Sequence, residues 1–295
     1  METISDLRSA AELAVIINVQ TKYVSSLALL STIRHINIPI MMIDCESQDG
    51  SFEWFRSLQR DFSFHLVREP RRQHGAALDW IFQSTQADKI LLVDSDIEVL
   101  NSEMFQLMRA RLRDERAYGA GYLQQGSWFE THYGTDRPLA SGIGFYKSRP
   151  WIPFALLRVA PVRTALAAGA SFMHRLELND VPQIPAISRL LWRRFTFPLC
   201  RQMRLRALDL FRREYEGRKP SYLFFDTGAE VHEMLVQMEF SFGDVGAAIP
   251  YWSIRHLQGV TRDLLHGPAH DACGLAAVES KVLERLREYG IEGKF

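Results

Sequence analysis

Three short runs along the chain are apolar without interruption and close on polar residues. Ala14–Val19 carries Asn18 near its end, Ile40–Asp44 ends on Asp44, and Lys89–Asp94 ends on Asp94. A strand apolar at consecutive positions buries both of its faces, as in a parallel sheet covered by helices on each side. Phe62–Val67 predicts a further strand. Between these runs, Ser25–Ile36, Phe52–Gln59 and Ala76–Gln86 have helical spacing and length. The resulting β-α-β-α-β-α-β order predicts an α/β fold with a mainly parallel central sheet flanked by helices. Ligands of such sheets bind in the crevice outside the carboxyl ends of the strands. Topology alone therefore puts Asn18, Asp44 and Asp94 on the binding side.

The alternation weakens from about residue 117. Tyr118–Leu123 and Ile143–Tyr146 predict strands separated by glycine-rich turns. Residues 150–220 contain seven prolines and accumulate arginine, which predicts an inserted helical and loop region. Beyond it, Asp226–Met238 predicts a helix, Ala247–Ile254 a strand and Leu275–Tyr289 an amphipathic helix stopped by Gly290. The expected division is a ligand-binding half over 1–120, a second half over 121–265 that holds the insertion, and a C-terminal helix over 266–295.

Composition narrows the function classes. A hydrophobic content of 47% supplies a core and excludes a disordered chain. The 35 Lys+Arg balance 35 Asp+Glu, so no overall basic excess marks a nucleic-acid binder. Cys45, Cys200 and Cys273 form no CxxC pair, which fits neither a disulfide framework nor a zinc site and suits a reducing cytosol. Residues 1–13 are polar and acidic, unlike a secretory signal. The most apolar long stretch, Trp151–Met173, is interrupted by Arg158, Pro161 and Arg163, so it does not read as a membrane span. A cytoplasmic protein, soluble or peripheral to the inner face of the cell membrane, is expected.

The densest chemistry is Asp94-Ser95-Asp96 at the end of a hydrophobic strand. Two carboxylates at i and i+2 can converge on one hard cation, magnesium or manganese, and a diphosphate is the natural companion ligand. The same residues also suit a strand end whose Asp caps the next helix. A nucleoside triphosphatase is disfavoured because no GxxxxGK[ST] loop occurs. A dehalogenase-type phosphatase is disfavoured because Glu98 stands where its motif needs Thr or Val. A nucleotidyltransferase is disfavoured because Asn18-Val19-Gln20-Thr21-Lys22 lacks glycine.

Asp44-Cys45-Glu46-Ser47-Gln48-Asp49-Gly50-Ser51 resembles the D-N-x-S-x-D-G-S turn of family-2-type glycosyltransferases, with Cys45 in place of Asn. The segment Arg68–Trp80 resembles their N-x-G-x-x-x-A-x-N helix opening, and Asp94-Ser95-Asp96 follows at the expected distance. The three motifs span residues 14–100 and imply the GT-A (nucleotide-diphospho-sugar transferase) fold. The resemblance implies that Asn18, Val19 and Thr21 frame the nucleobase and that Asp44 bonds the base or ribose. It further implies that Asp94 lies near the ribose or sugar and that Asp96 ligates the metal, with Ser95 and Gly75 completing the donor side. Arg71 or Arg72 suits a fork on the phosphates, and both also suit a solvated loop.

Phe224-Phe225-Asp226-Thr227-Gly228 resembles the D-T-G segment of a bacterial subset of that family, which makes Asp226 the general-base candidate; a helix N-cap is compatible. Ile254-Arg255-His256-Leu257-Gln258-Gly259 resembles the H-L-G-G tail of the same subset, placing His256 near the metal. His74, His132, His174 and His266 lack ligand spacing and read as structural or surface residues. Trp128, Phe129, His132 and Tyr133, beside Ser141 and Gly142, suit a sugar acceptor, since aromatic faces pack on sugar rings.

The resemblance therefore implies a metal-dependent glycosyltransferase using a nucleotide-sugar donor, UDP-sugar first. It would act on a glycan or lipid-linked acceptor in bacterial glycan or glycoconjugate synthesis, with inversion. Retention stays open, as does a degenerate relative serving as a nucleotide-sugar-binding scaffold. The zero net charge also conceals an asymmetry: residues 189–219 hold ten basic against three acidic residues, interleaved with Leu190, Trp192, Phe195 and Phe197. That mixture suits peripheral membrane contact, or equally a solvated helical face or an oligomer contact.

Overall fold

The computed structural model describes residues 10–125, 143–145, 148–173, 175–179, 221–246, 250–257 and 272–291. The first half alternates as expected: β1 (Glu12–Asn18), α1 (Lys22–His35), β2 (Ile40–Asp44), α2 (Ser51–Leu58), β3 (His65–Arg68), α3 (His74–Ser84) and β4 (Lys89–Val93). The chain continues through β5 (Ile97–Val99), α4 (Glu103–Arg111), β6 (Ala117–Gln125), β7 (Ile143–Phe145), β8 (Ser148–Arg158) and α5 (Val159–Ala167). It then runs through β9 (Arg175–Asn179), β10 (Ser221–Phe225), α6 (Ala229–Gln237), β11 (Ser241–Asp244), β12 (Ile254–His256) and α7 (Ala272–Glu288).

Seven strands form the main sheet in the order β11-β6-β8-β4-β1-β2-β3. The pairs β1/β2, β1/β4, β2/β3 and β6/β11 are parallel, while β8 runs antiparallel to both β4 and β6. The sheet is thus mainly parallel. Its order reverses between β4 and β1, which opens the crevice that such sheets use for ligands. Alternate residues along each central strand enter different cores. Ala14, Ile16, Leu91 and Val93 join Leu27, Phe55, Phe105 and Leu286 from α1, α2, α4 and α7. Leu13, Val15, Ile90 and Leu92 join Leu78, Phe82, Val162 and Leu235 from α3, α5 and α6. Burial on both faces is the reason these strands are apolar at every position.

The expected helical and loop region from residue 150 is different at its start. Ser148–Arg158 is a central strand, and α5 begins only at Val159. The β6–β8 ladder is broken within this strand. Gly121 pairs with Ala155 but Leu123 with Pro150, so residues 151–154 stand against Tyr122 alone. Pro153 faces the end of β4, where its carbonyl accepts from the Asp94 N–H at 2.9 Å; the donor it lacks is not missed, because the Asp94 carbonyl accepts from the Ile97 N–H at 3.0 Å.

Smaller pieces complete the frame. A two-stranded sheet pairs β12 with β5, and a three-stranded sheet has the order β7-β10-β9. The strand expected over Ala247–Ile254 is replaced by β11 before it and β12 at its end, with 247–249 outside the described residues. The segment 189–219 also lies outside them. Among the described residues no helix is long and apolar enough to cross a membrane.

Candidate functional site

Asn18 is the hub of the loop that follows β1. Its Nδ2 donates to Asp44 Oδ1 at 2.7 Å and to Ser47 Oγ at 2.9 Å. Its Oδ1 accepts from the hydroxyls of Thr21 at 3.0 Å and Ser25 at 2.8 Å. Asp44 Oδ2 accepts from the Ser47 N–H at 3.2 Å, and Ser47 Oγ from the Gln20 N–H at 3.0 Å. Asn18 and Asp44 are both 0% exposed. Their polar atoms fasten the β1–α1 loop to the β2–α2 loop, and Thr21 is sealed with them. Val19 is half-buried, so it and the Gln20 backbone form the accessible edge of this corner. Cys45 packs beside Asp44, and burial followed by the Asp44 and Glu69 charges pushes its thiol up to about 12.

The start of α3 brings a second group. Arg71 and Arg72 are exposed; the Arg71 N–H donates to Glu46 Oε2 at 3.3 Å, and Arg72 pairs with Glu69 at 3.6 Å and lies over the Trp80 ring. Gly75 has a packing reason for its lack of a side chain. A Cβ there would stand 2.6 Å from Met173 Cα, Met173 N and the Phe172 carbonyl. One turn later Asp79 accepts from Ser171 Oγ at 2.5 Å and from the Phe172 N–H at 2.8 Å. Burial lifts its carboxyl above the usual range, although both hydrogen bonds pull the other way. Helix α3 and residues 171–173 are therefore clamped together.

Asp94 and Asp96 turn out of β4 at the point where the sheet order reverses. The Ile97 N–H donates to the Asp94 carbonyl at 3.0 Å and the Leu257 N–H to the Asp96 carbonyl at 2.8 Å. Pairing of His256 with Ile97 in the β5–β12 ladder delivers the imidazole to Asp96, with Nε2 3.4 Å from Oδ1. The Trp151 ring meets His256 edge-on at 5.4 Å. Burial alone would pull the imidazole down, but the Asp96 hydrogen bond and the charges of Asp96 and Asp94 carry it above the usual histidine value. Asp94 is raised as well, first by removal from water and then by Asp96, against the pull of His74 and His256. His74 Nε2 lies 3.6 Å from Asp94 Oδ1, so a histidine expected to be structural stands at this corner. Ser95, between the two carboxylates, is buried.

A hard cation fits this corner in one particular way. Neighbouring ligands of an octahedral ion with bonds of about 2.1 Å stand about 3 Å apart. The Asp96–His256 pair, with Nε2 3.4 Å from Oδ1, is near that span. Among the described residues no group of three or more His, Cys, Asp or Glu side chains is gathered as a ready cage. The donor set therefore suits an ion that takes its other ligands from water and phosphate oxygens, as magnesium and manganese do.

Asp226 occupies the turn between β10 and α6. Its Oδ2 forms an ion pair with Arg149 of β8, and its Oδ1 accepts from the Thr227 N–H at 2.7 Å. The Ala229 N–H donates to the Asp226 carbonyl at 2.9 Å, which closes the turn into α6. Gly228 has φ +82°, and a Cβ there would stand 2.9 Å from Ile152 Cδ1; its N–H donates to the Phe172 carbonyl at 3.2 Å. The clamp built by Asp79 thus extends to the Asp226 turn. Arg149 stands two residues before Trp151, which carries the connection on to His256 and Asp96. Trp128, Tyr133, Ser141 and Gly142 lie outside the described residues.

Glu98 is a residue whose importance the motifs conceal. It is 0% exposed, and Arg255 Nη1 reaches it at 2.9 Å and Arg285 Nε at 3.0 Å. It thereby fastens β12, and so His256, to β5 and α7. The available signal was a carboxylate inside the apolar run Ile97-Glu98-Val99, because a buried charge demands a partner.

Residues 22–175 match the family model described as Glycosyl transferase family 2. None of the curated proteins matches the chain. Among solved structures, the mannosyltransferase PcManGT of Pyrobaculum calidifontis, in complex with GDP-Man and Mn2+, is 14% identical with a TM-score of 0.40, over 56% of this chain and 48% of that one. TarS 1–349 of S. aureus in complex with UDP-GlcNAc is 14% identical with a TM-score of 0.36, over 52% and 46%. GlyE of Streptococcus pneumoniae TIGR4 is 14% identical with a TM-score of 0.36, over 80% and 45%. The chain spans about half the length of the solved structures it matches.

Proposed function

The chain belongs to glycosyl transferase family 2, and on that premise we propose that it transfers one sugar, with inversion, from a nucleotide-diphosphate donor to an acceptor hydroxyl. It is a glycosyltransferase of the GT-A fold. The observation that carries the finer reading is the meeting of Asp96 with His256, brought from distant parts of the chain to the crevice beside β4.

In this reading the nucleoside, UDP first, rests against Val19 and the Gln20 backbone at the ends of β1 and β2. Asn18, Thr21 and Asp44 hold that corner in shape from behind. Asp96 and His256 would hold a manganese or magnesium ion, with Asp94, Ser95 and His74 beside them. Such an ion would supply charge neutralisation to the departing nucleoside diphosphate. Exposed Arg71 is within the α3 opening that faces the phosphates, where Gly75 permits the close packing of α3. Asp226 removes the acceptor proton as the acceptor oxygen bonds to the anomeric carbon and the bond to the diphosphate breaks. Its ion pair with Arg149 fixes the carboxylate's direction. The acceptor is a glycan or a lipid-linked sugar in bacterial glycoconjugate synthesis. The aromatics Trp128 and Tyr133, with Ser141 and Gly142, serve the acceptor side, and residues 189–219 serve peripheral contact with the inner face of the cell membrane.

Calorimetry with UDP- and GDP-sugars, with and without manganese, tests this function. The wild type is expected to bind at least one nucleotide sugar more tightly with manganese, and Asp96→Ala to lose that manganese-dependent increment. A wild type that binds no nucleotide sugar under either condition would overturn the reading.

A further inference from the structure

Gln124 of β6 is 4% exposed, and its carboxamide Nε2 has no hydrogen-bond partner. Among the described residues only this atom and His256 Nδ1 are buried side-chain polar atoms in that condition. Leaving a buried donor unpaired costs about 1–3 kcal/mol, so such an atom in a well-packed strand calls for a reason.

Its position supplies one. Gln124 pairs with Arg149 in the β6–β8 ladder, and residues directly opposite in an antiparallel pair project to the same face. Arg149 reaches Asp226, and two positions along β8 the Trp151 ring meets His256. The two unpaired atoms therefore flank one stretch of β8, between the Asp226 turn and the Asp96–His256 pair. Across the sheet, β1 and β2 lie on one side of β4, and β8 and β6 on the other. With the nucleoside at β1 and β2 and the diphosphate at Asp96, the sugar extends toward β8 and β6.

We propose that Gln124 recognises the sugar: its Nε2–H donates to an oxygen of the pyranose lying between Asp226 and the Asp96–His256 pair. The assignment rests on the nucleotide-sugar reading above. The chemistry favours a neutral sugar oxygen, because Gln124 is an uncharged donor and the charged donor opposite it, Arg149, is already paired with Asp226. A carboxamide whose donor is satisfied only by ligand is also a selective device, since a sugar lacking that oxygen leaves the amide unpaired.

The test compares the full chain with Gln124→Met, which keeps the length and loses the donor. Calorimetry with manganese uses UDP and GDP as bare nucleotides and UDP-glucose, UDP-GlcNAc and GDP-mannose as nucleotide sugars. Gln124→Met is expected to bind the nucleotide as the wild type does and the matching nucleotide sugar about tenfold more weakly. Its melting temperature is expected to stay equal or rise, because an unmatched buried donor is removed. Equal affinity of both proteins for the nucleotide sugar, or equal loss for nucleotide and nucleotide sugar, would overturn the assignment. So would a lowered melting temperature, which would show that Nε2 serves the fold. A wild type that binds nothing in the panel would instead remove the underlying function, and the assignment with it.

Discussion

Arg285 and Glu98 meet across 187 positions of sequence, the guanidinium Nε of α7 lying 3.0 Å from a carboxylate that is closed to solvent. Arg255 takes the other carboxylate oxygen from β12 at 2.9 Å, and the Tyr289 hydroxyl approaches at 3.4 Å. Glu98 is thus the point where β5, β12 and α7 are tied, one residue pair away from His256 and Asp96. Removing one partner of a buried ion pair strands the other charge at a cost of about 3–5 kcal/mol. Arg285→Leu is expected to destabilise by about 3 kcal/mol, since Arg255 remains. Arg255 is half exposed, so Arg255→Ala should cost less than about 1 kcal/mol. Urea unfolding of the two variants checks the order; equal losses would mean that Arg285 is not the principal partner.

Glycines 75 and 50 offer a paired comparison of two different costs. A methyl on Gly75 meets only backbone, at 2.6 Å, so α3 and residues 172–173 must separate. Overpacking of that kind costs about 1–3 kcal/mol, and the shift should pass through Phe172 to the Asp226 turn. A methyl on Gly50 meets nothing within 4 Å but must adopt φ +78°. Left-handed backbone costs about 1–2 kcal/mol for an ordinary residue. Gly75→Ala is therefore expected to lower both stability and turnover, and Gly50→Ala stability alone. Melting curves with parallel donor-turnover assays separate the two.

The central parallel strands were legible because burial on both faces leaves no polar position inside them. Strand β8 was hidden because Pro150 and Pro153 read as breakers, yet Pro153 faces the end of β4, where the Asp94 carbonyl is bonded to the Ile97 N–H and needs no donor from β8. Strand β5 is three residues long, and its Glu98 belongs to an ion pair whose partners lie far along the chain. His74 gave no ligand spacing, because it stands 20 residues from Asp94 and joins it only through packing of α3 against the sheet. Asn18 and Asp44 were correctly placed at strand ends, but periodicity cannot tell a residue that faces the crevice from one that braces it. The hydrogen bond between them favours bracing.

His232 gives the fold a dependence on pH. It is buried in α6 with Nδ1 2.6 Å from the Tyr118 hydroxyl, and burial lowers its value to about 4. In the unfolded chain the imidazole takes up its proton near pH 6.5, while the folded chain refuses it until about pH 4. Between those values the unfolded state binds more protons, so stability is whole above pH 6.5, declines as the pH falls, and levels off below about pH 4. The full contribution is roughly 3 kcal/mol. His232→Gln keeps a polar partner for Tyr118 without titrating, and its stability should be flatter over this interval. Denaturant midpoints measured at half-unit steps of pH check the difference in slope.

Asp226 and Arg149 make separable predictions about the chemical step. If Asp226 takes the acceptor proton, Asp226→Asn retains the turn, because the amide oxygen still accepts from the Thr227 N–H, but it has no basic carboxylate. General-base catalysis contributes typically about 10²–10⁴-fold, so kcat should fall within that span while donor affinity holds. Arg149→Met leaves the base in place and releases its direction, since the guanidinium is the partner of Oδ2. Its kcat should fall less than that of Asp226→Asn, and the double variant should be no slower than Asp226→Asn alone, because Arg149 acts through the carboxylate. Pre-steady-state transfer and nucleotide-sugar titrations on the three variants measure both quantities. Equal losses of donor affinity and turnover in Asp226→Asn would assign Asp226 to donor binding, and additive losses in the double variant would give Arg149 a role of its own.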